Sequence, residues 1–273
     1  MEGFKKTYQP PTQITPDTFV IQDHNGEGYA PVMVPLNSLV IKAAEPIVVD
    51  TGVGENRDQY LEDVFSIVEP EDIKWVFISH DDVDHTGNLN ALMEAAPNAT
   101  AIVNWFMWER MGDTLAVPLS RQRWIRDGES FTAGDRTLYA VRPPVFDSPT
   151  TRGLFDSKTG VYWASDSFAA PMLDLTTNVD TIDPAFWHDG MAMFHQYVSP
   201  WYALLDDRKF QQTVNRVESL GVTNIAGCHT PHIGSSHVAQ AFRQIRTFAE
   251  VTVPVEPGQE VLDQMLGAVP LAA

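Results

Sequence analysis

At 273 residues with 44% apolar side chains, the chain is long enough to bury one large α/β core. Its 36 acidic against 18 basic residues give a formal charge of −18, which excludes nucleic acid and anionic membranes as partners, because both are recognised through basic patches. The single cysteine, Cys228, excludes an internal disulfide, and no stretch approaches about 18 uninterrupted apolar residues. Met1-Glu2-Gly3-Phe4-Lys5-Lys6-Thr7-Tyr8 has no signal-peptide core, so a soluble cytoplasmic protein is expected.

Short β-type runs come first: Phe19-Val20-Ile21, Ser38-Leu39-Val40-Ile41 and Pro46-Ile47-Val48-Val49-Asp50, separated by Gly, Pro and Asn. Leu61, Val64, Phe65 and Val68 recur at helical spacing and predict a helix with one core-facing stripe. A strand over 73–78 and a helix near 88–96 form a β-loop-α unit. Strand-like Ala101-Ile102-Val103, an aromatic-rich stretch from Trp105 to Trp124, and a strand over 137–141 follow. Residues 152–155 and 160–164 read as a hairpin, and helices near 207–220 and 237–249 flank a strand over 224–227. Strands and mixed units, repeated twice with helices outside, predict an αββα sandwich: two mixed sheets between helical layers, in one domain spanning 1–273.

The chemistry concentrates in His80-Asp81-Asp82-Val83-Asp84-His85, where imidazoles and carboxylates crowd the end of the predicted strand over 73–78. A buried strand feeding such a loop is how a fold holds metal ligands rigidly. Two adjacent cations need further donors, and three candidates stand near predicted strand ends: Asp147, Asp166 and His229. A carboxylate such as Asp166 can bridge two cations with its two oxygens. Each candidate has a plainer alternative: a turn residue for Asp147, a helix N-cap for Asp166, and a hydrogen-bonded core histidine for His229. Alternation along a strand predicts that Cys228, next to His229, points away from the metals.

On these residues the chain resembles the metallo-β-lactamase superfamily and, within it, the oxygen-binding diiron domain of flavodiiron proteins. The superfamily carries His-x-His-x-Asp-His and the flavodiiron branch His-x-Glu-x-Asp-His; here the motif is His80-x-Asp82-x-Asp84-His85, followed by Thr86-Gly87-Asn88-Leu89. Val49-Asp50-Thr51-Gly52 resembles the superfamily's early Asp-Thr-Gly turn, and Ala164-Ser165-Asp166-Ser167-Phe168 resembles the branch's bridging-Asp segment. The resemblance implies metal ligation by His80, Asp82, Asp84, His85, Asp147, Asp166 and His229, with His24 and Asp50 behind the ligands. Two positions depart from the branch: Asp82 replaces its Glu, and Asp147 stands where it has a His.

The resemblance implies a non-haem diiron protein handling O2 or a related small molecule. It would act as an oxidoreductase with an external electron-donor protein, because no room remains before Ala273 for the flavin-binding domain that follows this one in flavodiiron proteins, or as an oxygen binder without turnover. Acid-rich, hard oxygen donors favour two irons, with manganese or zinc as the alternatives. The other reading is a hydrolase in which the metals activate water against an apolar or aromatic ester, lactone, thioester or activated ether, with Asp84 helping to orient the nucleophile. Trp105, Phe106, Trp108 and Trp124 in one region, and Trp187, Phe194, Tyr197 and Trp201 in another, could enclose such a substrate, or form core or a homo-oligomer interface. Among His188, His195, His232 and His237, His195 is the best acid–base candidate, since it shares a predicted helical stretch with Phe194 and Tyr197.

Overall fold

The computed structural model describes residues 8–25, 32–250, 252 and 254–268; residues 1–7, which carry most of the signal-peptide reading, and the carboxyl end at 269–273 lie outside the described residues. Strand β1 (Thr12–Thr15) turns into β2 (Thr18–Ile21), and a short ribbon pairs β3 (His24–Asn25) with β4 (Val34–Pro35). Next come β5 (Ser38–Ile41), β6 (Ile47–Val49), α1 (Arg57–Ile67), β7 (Trp75–Phe77), α2 (Val83–Thr86) and α3 (Leu89–Ala95). Then β8 (Thr100–Val103), α4 (Trp105–Met111) and β9 (Gln122–Trp124) complete the first half. The first sheet has the order β1-β2-β5-β6-β7-β8-β9 and runs parallel from β6 onward.

The second sheet is built from β10 (Ser130–Ala133), β11 (Arg136–Val141), β12 (Gly153–Asp156), β13 (Val161–Trp163), β14 (Asn224–Gly227) and β15 (Thr230–Ile233), in that order. Only β13 and β14 pair in parallel, because α5 (Pro184–Val198) and α6 (Asp207–Glu218) make the crossover between them. Helices α7 (Val238–Ile245) and α8 (Gln259–Ala268) follow.

Three apolar layers hold these elements together. Val40, Val48, Val76 and Ala101 pack outward against Val64, Leu92 and Met107 of the first helical layer. Their strand neighbours Leu39, Val49, Phe77 and Ile102 face inward onto Leu138, Leu154, Trp163 and Ala226 of the second sheet. Tyr162, Ile225 and Ile233 then pack against Met191, Val214, Phe242 and Ile245. Successive residues thus enter different layers, the period of two expected of a strand, and each fully buried aliphatic side chain stabilises the fold by about 1.5–3 kcal/mol. The architecture is the αββα sandwich, with the strands near-continuously apolar because both faces are covered.

Among the described residues no helix is long and apolar enough to cross a membrane. The helices predicted near 88–96, 207–220 and 237–249 are α3, α6 and α7 with ends trimmed. Val68, placed in the predicted helical stripe, is instead the extended residue that ends α1, and it still packs into the same core. The pattern does not reveal β10, whose residues alternate exposed and buried and include two hydroxyls, nor β1, whose run Thr-Gln-Ile-Thr carries one aliphatic residue.

Candidate metal centre

The seven residues expected as ligands converge at the carboxyl ends of the strands, between the two sheets. After β7 the chain passes through Ile78 and Ser79 to His80, and after Asp82 the single turn of α2 brings in Asp84 and His85. From the second sheet, Asp147 comes from the loop after β11, Asp166 from the loop after β13, and His229 from the turn between β14 and β15. Backbone strain accompanies this placement. Asp50, Ser165 and Phe168 adopt positive φ values of 56°, 55° and 63°, which non-glycine residues keep only where surrounding structure enforces them.

The donor atoms fall into two groups that share Asp166. In the first, His80 Nε2 lies 3.6 Å from Asp82 Oδ2, 3.6 Å from Asp147 Oδ2 and 3.5 Å from Asp166 Oδ2. In the second, Asp84 Oδ2 lies 3.6 Å from His85 Nε2 and 3.3 Å from His229 Nε2, while Asp166 Oδ1 lies 3.0 and 3.4 Å from the same two nitrogens. The two oxygens of Asp166 therefore face different groups, and both departures from the resembled motif, Asp82 and Asp147, belong to the first.

Each imidazole is held from behind through Nδ1, leaving Nε2 aimed at the centre. Nδ1 of His85 donates to Asp50 Oδ2 at 2.8 Å, and Nδ1 of His229 donates to the carbonyl of Pro35 at 2.8 Å. His80 Nδ1 meets Ser165 Oγ at 3.1 Å. Asp50 is fully buried and also accepts from Ser79 N and Oγ and from Trp163 Nε1, at 2.6, 2.7 and 2.8 Å, so one carboxylate ties the metal loop of the first sheet to a strand of the second. Such partners fix tautomer and ring orientation. The loop is clamped from below as well: Thr51 N donates to His85 O at 2.7 Å and Gly87 N to Gly52 O at 3.0 Å. A Cβ on Gly87 would stand 2.4 Å from Gly54 N and 2.6 Å from Gly52 O, so only glycine allows this approach. Asn37 Nδ2 holds the His229 turn through the carbonyls of Gly227 and Thr230, at 3.1 and 2.9 Å.

The charges in this pocket call for cations. Burial opposes the protonated form of His229, but Cys228, Asp166 and Asp84 outweigh it and raise the imidazole to about 10. His85 is raised in the same way, burial being overcome by Cys228, Asp166 and Asp50, and His80 is raised against burial by Asp166, Asp82 and Asp147. Asp166 is held far below the usual carboxylate range although burial opposes it, because His80, His229 and His85 surround it. Burial and the neighbouring Asp166 push Asp147 up to about 6. The carboxylates thus favour positive charge at the imidazoles. His80 Nε2, His85 Nε2 and Asp166 Oδ1 are nonetheless buried without a hydrogen bond of acceptable geometry, an arrangement that costs about 1–3 kcal/mol per group unless something binds there. Three His, four Asp and these orphaned atoms fit a pair of divalent cations.

Other expected residues lie at varying distances from this centre. His24 is buried on β3 opposite Pro35, the residue that holds His229, and neither of its ring nitrogens has a hydrogen-bond partner. The ring in contact with His229 is Phe194, centroid to centroid 5.3 Å, whereas His195 is buried against Phe248 at 5.3 Å with both nitrogens unpartnered. His188 pairs with Asp189, His232 with Asn224 and His237 with Asp180, outside the cluster. The expectation for Cys228 is corrected: its sulfur lies 3.8 Å from Asp84 Oδ2, on the metal side. Alternation does not extend to it, because Cys228 and His229 form the turn between antiparallel β14 and β15 rather than strand. The two aromatic sets do not enclose a common pocket. Trp105, Phe106 and Trp124 line a surface cavity with Arg126 and Arg152, Trp187 is core under α7, and Trp201 stacks on Phe146. Ser79, Ser165, Trp163, Pro35 and Asn37 are the supporting residues that sequence reasoning missed. Ser79 and Ser165 carried a local signal, as small polar residues immediately before His80 and Asp166.

The chain is similar to larger proteins, several of them named as flavoproteins. It is 29% identical over 135 residues to the putative diflavin flavoprotein A 1 of Thermosynechococcus vestitus, covering 49% of this chain and 24% of that protein. It is 22% identical over 215 residues to the anaerobic nitric oxide reductase flavorubredoxin of Vibrio vulnificus, covering 77% of this chain and 42% of that one. The chain thus spans less than half the length of these two relatives. Among solved structures, the rubredoxin oxygen:oxidoreductase of the anaerobe Desulfovibrio gigas superposes with a TM-score of 0.77 at 17% identity, over 88% of this chain and 61% of that one. The sequence profile of the ODP family beta lactamases matches residues 35–230, more than half of the chain. The chain belongs to that family, and its fold is the metallo-β-lactamase-like one of flavodiiron proteins.

Proposed function

We propose that this chain is an oxidoreductase that holds two cations, iron in preference to zinc or manganese, and reduces O2 or nitric oxide with electrons from an external donor. The observation that carries the reading is the division of Asp166, whose two oxygens face two separate groups of buried imidazole and carboxylate donors. His80, Asp82 and Asp147 would hold one ion, Asp84, His85 and His229 the other, and Asp166 would bridge. When bound, the iron pair supplies the electrons that a diatomic molecule accepts. Carboxylates outnumber imidazoles among the seven, which supports iron over zinc, since anionic oxygen donors stabilise the oxidised ion.

The remaining work falls to the protein's own groups. Asp50, Ser165 and Pro35 orient the three imidazoles, so that Nε2 of each is the free donor. The side chains of Asp82, Asp84 and Asp147 are 48%, 20% and 16% exposed while those of His80 and His85 are fully buried, so small molecules and protons reach the centre from the carboxylate side. Phe194 packs on the His229 ring, with centroids 5.3 Å apart, and limits its tilt. The relatives named for nitric oxide and oxygen chemistry support the choice of substrate class.

The test is consumption of O2 and of nitric oxide, followed with electrodes, by iron-reconstituted protein supplied with a chemical reductant and a flavin mediator. Turnover of either gas that is lost in the metal-depleted protein is expected. No turnover of either gas, together with ester or lactone hydrolysis by a zinc-loaded sample, would replace the redox reading by the hydrolytic one.

A further inference from the structure

Cys228 is the only cysteine of the chain, and it is fully buried beside the second donor group. Donor atoms of Asp84, His85, Cys228 and His229 all lie within 4.8 Å of one another. The backbone leaves the side chain little freedom: Cys228 N donates to Ser165 O and its carbonyl accepts from Asn37 N, each at 2.9 Å. Its sulfur touches the inter-sheet core, so a thiol filling space is one explanation. The thiol also reaches the polar side, donating to the Asp84 carboxylate at 3.8 Å, and the neighbouring His85 Nε2 and Asp166 Oδ1 are buried donor atoms without hydrogen-bond partners. A cation between them would lie within reach of the sulfur as well.

We infer that Cys228 Sγ is a further donor to the cation held by Asp84, His85 and His229, giving that half of the centre a sulfur that the other half lacks. This inference rests on the reading that the second group binds a cation at all. On ligation the thiol releases its proton to solvent and the sulfur lone pair forms the bond to the metal, so binding at this half strengthens as pH rises. The halves then differ in kind: His80, Asp82 and Asp147 offer mostly hard oxygen, whereas the second offers imidazole and thiolate, which suit softer ions. When a harder and a softer ion are offered together, the half beside Cys228 is the one that favours the softer.

Cobalt(II) alone, titrated into metal-free protein, reads this directly. Wild type should develop a near-ultraviolet sulfur-to-cobalt charge-transfer band that Cys228→Ser lacks. The variant should also lose affinity at one of its two sites by at least the roughly 10- to 100-fold typical of removing an outer-sphere partner. Independently of any variant, X-ray absorption of the zinc-loaded wild type should contain a sulfur neighbour at about 2.3 Å. Two cations bound per chain with neither the band nor the sulfur neighbour overturns the role of Cys228 and leaves the two-cation reading intact. No bound cation overturns both.

Discussion

Oδ2 of Asp50 accepts a hydrogen bond from Nδ1 of His85 at 2.8 Å, and the same oxygen accepts one from Trp163 Nε1 at 2.8 Å. The imidazole is thereby locked with Nε2 toward the centre, and its carboxylate support is itself anchored to the opposite sheet. Asp50→Asn keeps the shape and removes the charge that favours this tautomer. We expect metal affinity to drop about 10- to 100-fold with the fold retained, read by competition against a chelator. Affinity equal to wild type would mean that the contact only packs the core.

Asp166→Ala and His229→Ala separate bridge from ligand. If Asp166 serves both groups, its loss should empty both positions, whereas loss of His229 should mainly empty the position shared with Asp84 and His85. Elemental analysis after reconstitution distinguishes them. Equal losses in the two variants would remove the distinction between bridge and terminal ligand.

Some of this was legible in the chain and some was not. His80, Asp82, Asp84 and His85 stand in one loop after an apolar strand, so local pattern is enough to find them. Asp147, Asp166 and His229 are far away in sequence and were reached through strand ends and family resemblance. The supports escaped both: Trp163 meets Asp50 across 113 positions and Pro35 meets His229 across 194, through a hydrogen bond and a carbonyl that no side-chain pattern encodes. Cys228 was misplaced because a rule valid inside strands was carried into a turn. Layer order followed from alternation and buried runs, whereas β1 and β10 were lost because each is a four-residue run with one large apolar side chain, too short for its period to stand out.

Gly87 gives a prediction about folding rather than chemistry. Gly87→Ala forces a Cβ into the backbone of Gly52 and Gly54, and neither can move without shifting the metal loop. Destabilisation of about 1–3 kcal/mol is expected, measured by the urea midpoint at constant m-value. An unchanged midpoint would mean that the clamp yields freely.

His195 sets a pH dependence. Burial pushes it down to about 3, so the native state keeps it neutral while the unfolded chain protonates near 6.5. Its contribution to stability is complete above about 6.5 and is lost as pH falls toward 3, with a limiting slope of about 1.4 kcal/mol per pH unit. The imidazoles of the centre titrate as well, so metal-loaded wild type is compared with metal-loaded His195→Phe, in which they contribute alike. The variant should lose less stability between pH 6.5 and pH 4.5, by urea unfolding. Parallel curves would place the protonated form of His195 in the native state.

Asp82 and Asp147 set the first position apart from the resembled motif. Asp82→Glu with Asp147→His removes one negative charge and adds an imidazole, and should shift loading toward zinc when equal zinc and ferrous iron compete anaerobically. An unchanged ratio would show that acid-rich ligation does not select the metal.

The central claim is a two-cation centre built on Asp166, and the most direct measurement is the metal stoichiometry of anaerobically iron-reconstituted wild type, with Mössbauer spectroscopy of the oxidised sample. The account predicts two irons per chain, magnetically coupled through their shared ligand. A single iron per chain, or two that behave as isolated ions, would contradict it.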